Sequence, residues 1–215
     1  MALLNIQNLF LKYNQTDEWL IKDMNFVAEK NEIILIKGSN GCGKTSLLSM
    51  LCGIIPKTIK GIIGGQILID DIDISALTLP ELSPLISVVF QEPEMQLSFP
   101  QVEQELAFGP ENLKVPANEI RKRIENISEL LGISNLVKSE IATLSYGQKK
   151  LVAVAAVFSL SPDIILLDEL ADGLSDTSIQ NIKKCIQYFR EDKLIIISST
   201  THTFNDIADR IITFS

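Results

Sequence analysis

Ile33-Ile34-Leu35-Ile36-Lys37-Gly38-Ser39-Asn40-Gly41-Cys42-Gly43-Lys44-Thr45-Ser46-Leu47-Leu48-Ser49-Met50-Leu51 is the stretch from which the rest of the chain is read. Its apolar, β-branched run Ile33 to Ile36 reads as a strand stopping at Gly38. Apolar residues then resume at helical spacing with Leu47, Leu48 and Leu51. The loop between them is Gly38-x-x-x-x-Gly43-Lys44-Thr45, in which glycines let the backbone curl and turn its N–H groups toward an anion at the start of a helix. In that pattern Lys44 reaches the β- and γ-phosphates of a nucleotide and the Thr45 hydroxyl ligates Mg²⁺. Cys42, inside the loop, is most simply a small filler residue.

The 215 residues suffice for one α/β domain with a real core, and 46% hydrophobic with 21% charged residues is ordinary globular composition. A net charge of −8 argues against a nucleic-acid backbone as main partner, yet leaves ATP open, since phosphate binding needs local donors only. Three scattered cysteines give no disulfide or zinc spacing, which fits a reducing compartment. The N-terminus shows no export signal. The most membrane-like stretch, Leu151 to Leu167, is broken by Ser159, Ser161, Pro162 and Asp163 and reads as a buried helix followed by a buried strand. A soluble chain reaching any membrane only through a partner is expected.

Strands are expected at Leu3 to Leu11, Asp23 to Val27 and Gln66 to Ile74, the last carrying Asp70, Asp71 and Asp73 as a solvated hairpin tip rather than a metal site. Ile86 to Phe90 reads as a further strand ending at Gln91. Beyond it, Pro93, Pro100, Pro110 and Pro116 leave only a short structured piece, Val102 to Phe108. A helix then carries Ile120, Ile124, Ile127, Leu130 and Leu131 on one face until Gly132, and about 92 to 160 reads as an all-helical insertion. Leu144-Ser145-Tyr146-Gly147-Gln148 precedes a second helix. By itself it is an N-terminal cap, whose free N–H groups also make a second anion site.

Ile164 to Leu167 reads as a buried parallel strand that delivers Asp168-Glu169 to the carboxyl edge of the sheet, where ligands bind in such folds. Beside a phosphate loop this pair supplies a magnesium-linked carboxylate and one that activates water. The last third alternates again: helix Ser178 to Phe189, strand Leu194 to Ser198, helix Phe204 to Asp209 and strand Arg210 to Phe214. His202, the one histidine, follows the polar end of the final core strand. Tyr13, upstream of the phosphate loop, is by itself a packed edge residue, and an aromatic face there can also stack on adenine.

In this order and spacing, Tyr13, the loop Gly38 to Thr45, Gln91, Leu144 to Gln148, Asp168-Glu169 and His202 ahead of Asp209-Arg210 resemble the ATP-binding cassette ATPase family over essentially the whole chain. Val89 to Leu97 and Leu106 to Leu113 look like the ATPase subunits of energy-coupling-factor importers of vitamins, cobalt or nickel. The resemblance implies a single nucleotide-binding domain over 1–215. Its fold is α/β, with a mostly parallel, RecA-like core sheet, a small antiparallel β subdomain and a helical subdomain over about 92–160. ATP and Mg²⁺ would be the cofactors. Tyr13 would stack on adenine, and Gly38, Ser39, Asn40, Gly41, Cys42, Gly43, Lys44, Thr45 and Ser46 would hold phosphates. Thr45, Gln91 and Asp168 would hold Mg²⁺, Glu169 would polarise the attacking water, and His202 would contact the γ-phosphate. Ser145, Gly147 and Gln148 would act on the ATP of an opposite subunit. ATP would then close a dimer and hydrolysis open it, so an isolated monomer should bind ATP but hydrolyse it poorly.

The partners implied are a second ATPase subunit, identical or not, and a transmembrane coupling subunit that holds the chain peripherally on the cytoplasmic face of the membrane. Nucleic acid is not implied. Three positions depart from the family pattern: Tyr146 stands where glycine is usual, Leu170 where proline is usual, and Ser175 where aspartate is usual, with Asp176 one place late. They suggest pairing with a different ATPase subunit and two unequal sites. An ATP-gated interaction module acting on a soluble target is the alternative, and a small-molecule kinase would have no use for the Ser145 motif.

Overall fold

The structure, a computed structural model, describes residues 3–13 and 18–214. Its centre is a five-stranded sheet in which every pairing is parallel, in the order β6 (Ile86–Val89), β7 (Ile164–Asp168), β8 (Leu194–Ser199), β3 (Ile33–Lys37) and β9 (Arg210–Thr213). Period-2 alternation explains the two cores. Ile33 and Leu35 face one side with Ile165, Leu167, Ile195 and Ile197, while Ile34 and Ile36 face the other with Ile164, Leu166, Leu194 and Ile196. Both faces are therefore covered, as the uninterrupted apolar runs require.

On the second face lie α1 (Lys44–Leu51), the one-turn helices α2 (Ile54–Lys57) and α3 (Leu79–Leu82), and an antiparallel sheet. That sheet runs β2 (Ile21–Ala28), β1 (Leu4–Lys12), β4 (Ile62–Ile69) and β5 (Ile72–Asp73). The expected Gln66 to Ile74 strand is a hairpin turning at Asp70 and Asp71, both left-handed. Asp73 caps the turn after it by accepting from the Ser75 amide at 2.8 Å.

Between β6 and β7 the described chain forms helical elements, α4 (Val102–Asn112), α5 (Ala117–Leu131), α6 (Tyr146–Leu160) and short 3₁₀ turns, with one isolated antiparallel bridge between Gln101 and Glu140. Helix α4 runs past Pro110, four residues beyond the expected end at Phe108. Proline removes one N–H in the last turn only, and the turn closes through Leu113 N to Gly109 O. Gly109 also lets α4 lie against Leu160 of α6. Helix α5 stops where Gly132 takes a left-handed φ of 71°. Helix α7 (Asp176–Phe189) packs on α5 and returns the chain to β8.

The expected helix Phe204 to Asp209 is instead a series of turns, held by Asn205 N to His202 O and Ile207 N to Phe204 O. Asp209 breaks it by accepting from the Ile33 amide at 2.8 Å, which draws the chain into β9. The stretch Leu151 to Leu167 is the buried helix and strand expected, and among the described residues no helix is long and apolar enough to cross a membrane.

The last strand braces the phosphate loop. Phe214 N donates to Lys37 O at 2.6 Å, and a Cβ on Gly38 would lie 2.5 Å from Phe214 O and 2.6 Å from Cys42 Sγ. One of those atoms is backbone that cannot swing aside, so Gly38→Ala is expected to destabilise the fold by about 2 kcal/mol and displace the loop. Urea unfolding together with nucleotide titration checks this. An alanine variant of full stability and unchanged ATP affinity would contradict it.

Candidate active site

The phosphate loop, Gln91, the acid pair and the polar run after β8 leave the carboxyl edge of the parallel sheet. Register puts Lys37 beside Ser199 and Asp168 beside Ser198, so the loop after β3, the acid pair after β7 and the polar end of β8 meet at one place. Gly41 and Gly43 take left-handed φ values of 80° and 108° that side chains resist, which curls the loop over the start of α1. Helix α1 has neither a side-chain cap nor an acidic residue in its first turn, so its first N–H groups and its dipole are open to an anion.

Lys44 is buried. Its ammonium donates to Gly38 O at 2.9 Å and Ser39 O at 3.0 Å and lies 3.1 Å from Glu169 Oε1. Only 5% and 9% of the two side chains are exposed. Glu169 Oε1 accepts no aligned hydrogen bond, so the contact is a charge attraction rather than a directed bond. The other carboxylate oxygen, Oε2, accepts from Thr200 N at 3.0 Å and Thr200 Oγ1 at 3.3 Å. Glu169 itself sits at φ 45°, a left-handed conformation that costs about 1 kcal/mol or more in a residue other than glycine. Its N–H is held by Ser198 O and Ser198 Oγ, both at 3.2 Å.

Asp168 is buried too, and burial pushes its pKa above the ordinary carboxyl value. Hydrogen bonds from Ser198 and Thr45 oppose the shift, the neighbouring Glu169 charge adds to it, and Lys44 opposes it. Thr45 and Asp168 thus already touch. Together they present hard oxygen donors, and a divalent cation would favour the ionised carboxylate that burial disfavours, so this pair fits Mg²⁺. Among the described residues no cluster of three or more His, Cys, Asp or Glu could hold a metal alone. The remaining ligands would come from phosphates and water.

The cleft above these groups has a volume of about 1080 Å³ and is lined by the phosphate loop, Gln91, Glu169 and Thr200, with Tyr13 and Trp19 on its far wall. Tyr13 OH lies 2.8 Å from Ser46 Oγ, tying the aromatic wall to α1. Trp19 makes an edge contact with Phe10. Being the one tryptophan, it was visible in the sequence, but no spacing linked it to the loop. His202 does not line the cleft: it is exposed, with Nδ1 2.6 Å from Lys37 Nζ and 3.2 Å from Asn205 Nδ2.

Ser145, Gly147 and Gln148 also lie outside the cleft. Ser145 and Gln148 form a reciprocal capping box on α6, with Gln148 N to Ser145 Oγ at 3.3 Å and Ser145 N to Gln148 Oε1 at 2.9 Å. The Ser145 hydroxyl accepts in this arrangement and keeps its own proton to donate elsewhere. Sequence reading missed Ser198, Thr200 and Lys150. The first two sat in a polar run whose register to Asp168-Glu169 only the sheet reveals.

Ser198 serves Asp168 and the Glu169 amide at once while fully buried. Ser198→Ala is therefore expected to cost about 1–3 kcal/mol of stability by leaving those groups short of a partner. Chemical denaturation checks it, and a loss no larger than that of an exposed Ser→Ala change would show that the hydroxyl is not needed.

Comparison with known proteins agrees with this geometry. The sequence matches the ABC transporter family over residues 21–172. It is 32% identical over 214 residues to the energy-coupling factor transporter ATP-binding protein EcfA1 of Listeria monocytogenes, covering 98% of this chain and 75% of that protein. A Bacillus subtilis relative, provisionally named as an HMP/thiamine import ATP-binding protein, YkoD, is 34% identical over 199 residues, covering 91% of this chain and 36% of its own. Several curated relatives are longer, the chain spanning 33% to 43% of their length. The structure superposes on cbiO1 of Clostridium perfringens, described as part of the ABC transporter complex cbiONQ, with a TM-score of 0.84 and 30% identity, covering 100% of this chain and 85% of that one. A phosphate loop whose lysine faces an acid pair across a parallel sheet, joined to this likeness over nearly the full chain, places the protein in the ABC transporter family.

Proposed function

We propose that the chain is the ATP-hydrolysing subunit of a membrane importer of the energy-coupling-factor type, one that carries vitamins or transition metal ions. The observation that carries the reading is the approach of Glu169 to Lys44 at 3.1 Å, which brings a carboxylate to the phosphate end of the loop. The likeness to EcfA1 supports the importer class.

The residues divide the work as phosphoryl transfer demands, by positioning and charge neutralisation rather than covalent chemistry. The aromatic wall of Tyr13 stacks on the base. Residues Gly38 to Ser46, Cys42 included, hold the phosphates through backbone N–H groups, and Lys44 draws on the β- and γ-phosphates. Thr45, Gln91 and Asp168 would hold Mg²⁺, whose charge would offset that of the phosphates when it is bound. Glu169 orients the attacking water, and its proton is taken up at the carboxylate or passed to solvent. His202 turns from Lys37 toward the γ-phosphate.

Ser145, Gly147 and Gln148, outside their own cleft, serve the nucleotide of an adjoining ATPase subunit. The free donor of Ser145 and the N-terminus of α6 are suited to an anion presented from outside. Two subunits therefore close on ATP and separate after hydrolysis. Leu170 is fully buried and keeps to the core, while Ser175, which caps α7 by accepting from the Ser178 amide at 3.2 Å, keeps the local fold and changes the surface offered to a partner. A dissimilar ATPase partner fits that change. Phe108, 49% exposed and ring-to-ring with Phe99, and Met95, 77% exposed, offer apolar surface for a transmembrane coupling subunit. Through it the chain is held at the cytoplasmic face of the membrane.

Glu169→Gln is expected to lower steady-state phosphate release about 100-fold or more while ATP affinity stays within about threefold. Phosphate release equal to the wild type would remove Glu169 from the mechanism. Ser145→Ala in one subunit should slow hydrolysis at the other subunit's nucleotide, read in mixed dimers with the opposite site disabled. Full-speed hydrolysis by a solitary chain would overturn the dimer. Purification in detergent should retain a transmembrane subunit, and a stable association with a soluble protein alone would favour an ATP-gated module outside transport.

A further inference from the structure

Lys150 is fully buried, and among the described residues no carboxylate pairs with it directly. Its ammonium has three N–H donors. Two point at backbone carbonyls, Glu169 O at 3.2 Å and Asp172 O at 2.9 Å. The third direction is closed by the ring of Tyr146, whose centroid lies 5.5 Å from Nζ. A buried cation is tolerated only when its surroundings supply negative potential. Here two carbonyls, a ring face and the nearby carboxylates of Asp172, Glu92, Glu169 and Asp168 supply it.

The carbonyl that Lys150 holds belongs to a strained residue. Glu169 sits at φ 45°, its N–H fixed by Ser198 and its C=O by Lys150, so the unfavourable rotation is pinned from both sides. Tyr146 is fitted to the same task. Its OH donates to Gln91 O at 3.2 Å, and its ring rests on Gly173, where a Cβ would lie 2.9 Å from the tyrosine Cε1. The adjacent Lys149 pairs with Glu94 at 2.6 Å, a second tie from the first turns of α6 to the segment after β6.

We propose that Lys150 and Tyr146 are positioning residues for hydrolysis: Lys150 holds the backbone of Glu169, and Tyr146 covers Lys150 and fixes the Gln91 segment. This rests on the hydrolytic reading of the same site. Neither side chain reaches the cleft, so both act on the rate through Glu169 and Gln91 and not on ATP itself. The pair also accounts for a tyrosine where the family pattern has glycine, since without the ring the third donor of a buried ammonium would face a gap.

The test uses the assembled complex. Lys150→Met, close in shape and uncharged, is expected to lower kcat about 10- to 100-fold, the size of a small misplacement of a reacting group, with KM and ATP affinity within about twofold. Tyr146→Phe keeps the ring and should lose a smaller factor, about two- to fivefold in kcat. Because Tyr146 works in part through Lys150, Tyr146→Gly added to Lys150→Met should cost less than the two single losses multiplied. Hydrogen exchange of the 167–174 backbone should also quicken about tenfold in Lys150→Met, with the rest of the chain unchanged. This readout needs no activity. Unchanged exchange in 167–174, or a rise in KM with kcat intact, overturns the proposal. If Glu169→Gln leaves turnover intact, the hydrolytic reading fails instead, and exchange still decides whether Lys150 holds the segment.

Discussion

The attraction between Lys44 and Glu169 across the carboxyl edge of the sheet is the constraint around which the site is built. Removing two charges from water costs several kcal/mol per ion, and their attraction does not reliably restore it. Such a pair is poor material for stability alone. The surroundings accept that cost through fixed donors: Gly38 O and Ser39 O for the lysine, Thr200 for the carboxylate. These dipoles come from the same loop and strand end that carry the pair. On the proposed reading, charge placed this way is held ready where a triphosphate would add more of it, which is the arrangement electrostatic catalysis needs.

That constraint reaches back into the sheet. Lys44 can meet Glu169 only if β3 and β7 end at the same level, and β8 between them sets that level through Ser198 and Ser199. The alternating apolar strands fix the register because a slip by one residue would exchange the two cores. The packing of Ile33 and Leu35 against one side and Ile34 and Ile36 against the other is thus also what aims the acid pair. Stability and chemistry draw on the same residues here.

Much of this was legible in the sequence for a physical reason: the loop, the acid pair and the strands before them are local patterns. Gly38 to Thr45 announces its own geometry, and Ile164 to Leu167 announces both its burial and the direction in which Asp168-Glu169 leave it. Helix α5 was equally plain, since its apolar face and Gly132 stop lie within one segment. What escaped depended on contacts between distant segments. The turns at Phe204 to Asp209 arise because Asp209 is claimed by Ile33, far away in the chain. Helix α4 passes Pro110 because packing against Leu160 outweighs one lost hydrogen bond. Ser198 and Thr200 looked like part of a bland polar run until register set them beside the acid pair. Lys150 looked like any lysine of a charged helix start, although it is the most deeply buried cation of the site.

The departures at Tyr146, Leu170 and Ser175 take on a common meaning once their contacts are known. Ser175 retains the cap on α7 while carrying no charge, and Leu170 adds apolar volume to the core, so neither disturbs the fold. Tyr146 differs from them, because it creates contacts that glycine could not make: to Gln91, to Lys150 and to the left-handed Gly173. These join the start of α6, which faces a neighbouring subunit on the proposed reading, to the two segments that serve the chain's own nucleotide. A shift of α6 would have to move Gln91 and the Glu169 carbonyl with it or break the hydrogen bonds that Tyr146 and Lys150 make to them. Closely packed interiors switch between arrangements more readily than they stretch. On the proposed reading, coupling between the outer face and the inner site would be carried by these few contacts, and it would be tightest in a subunit that has the tyrosine.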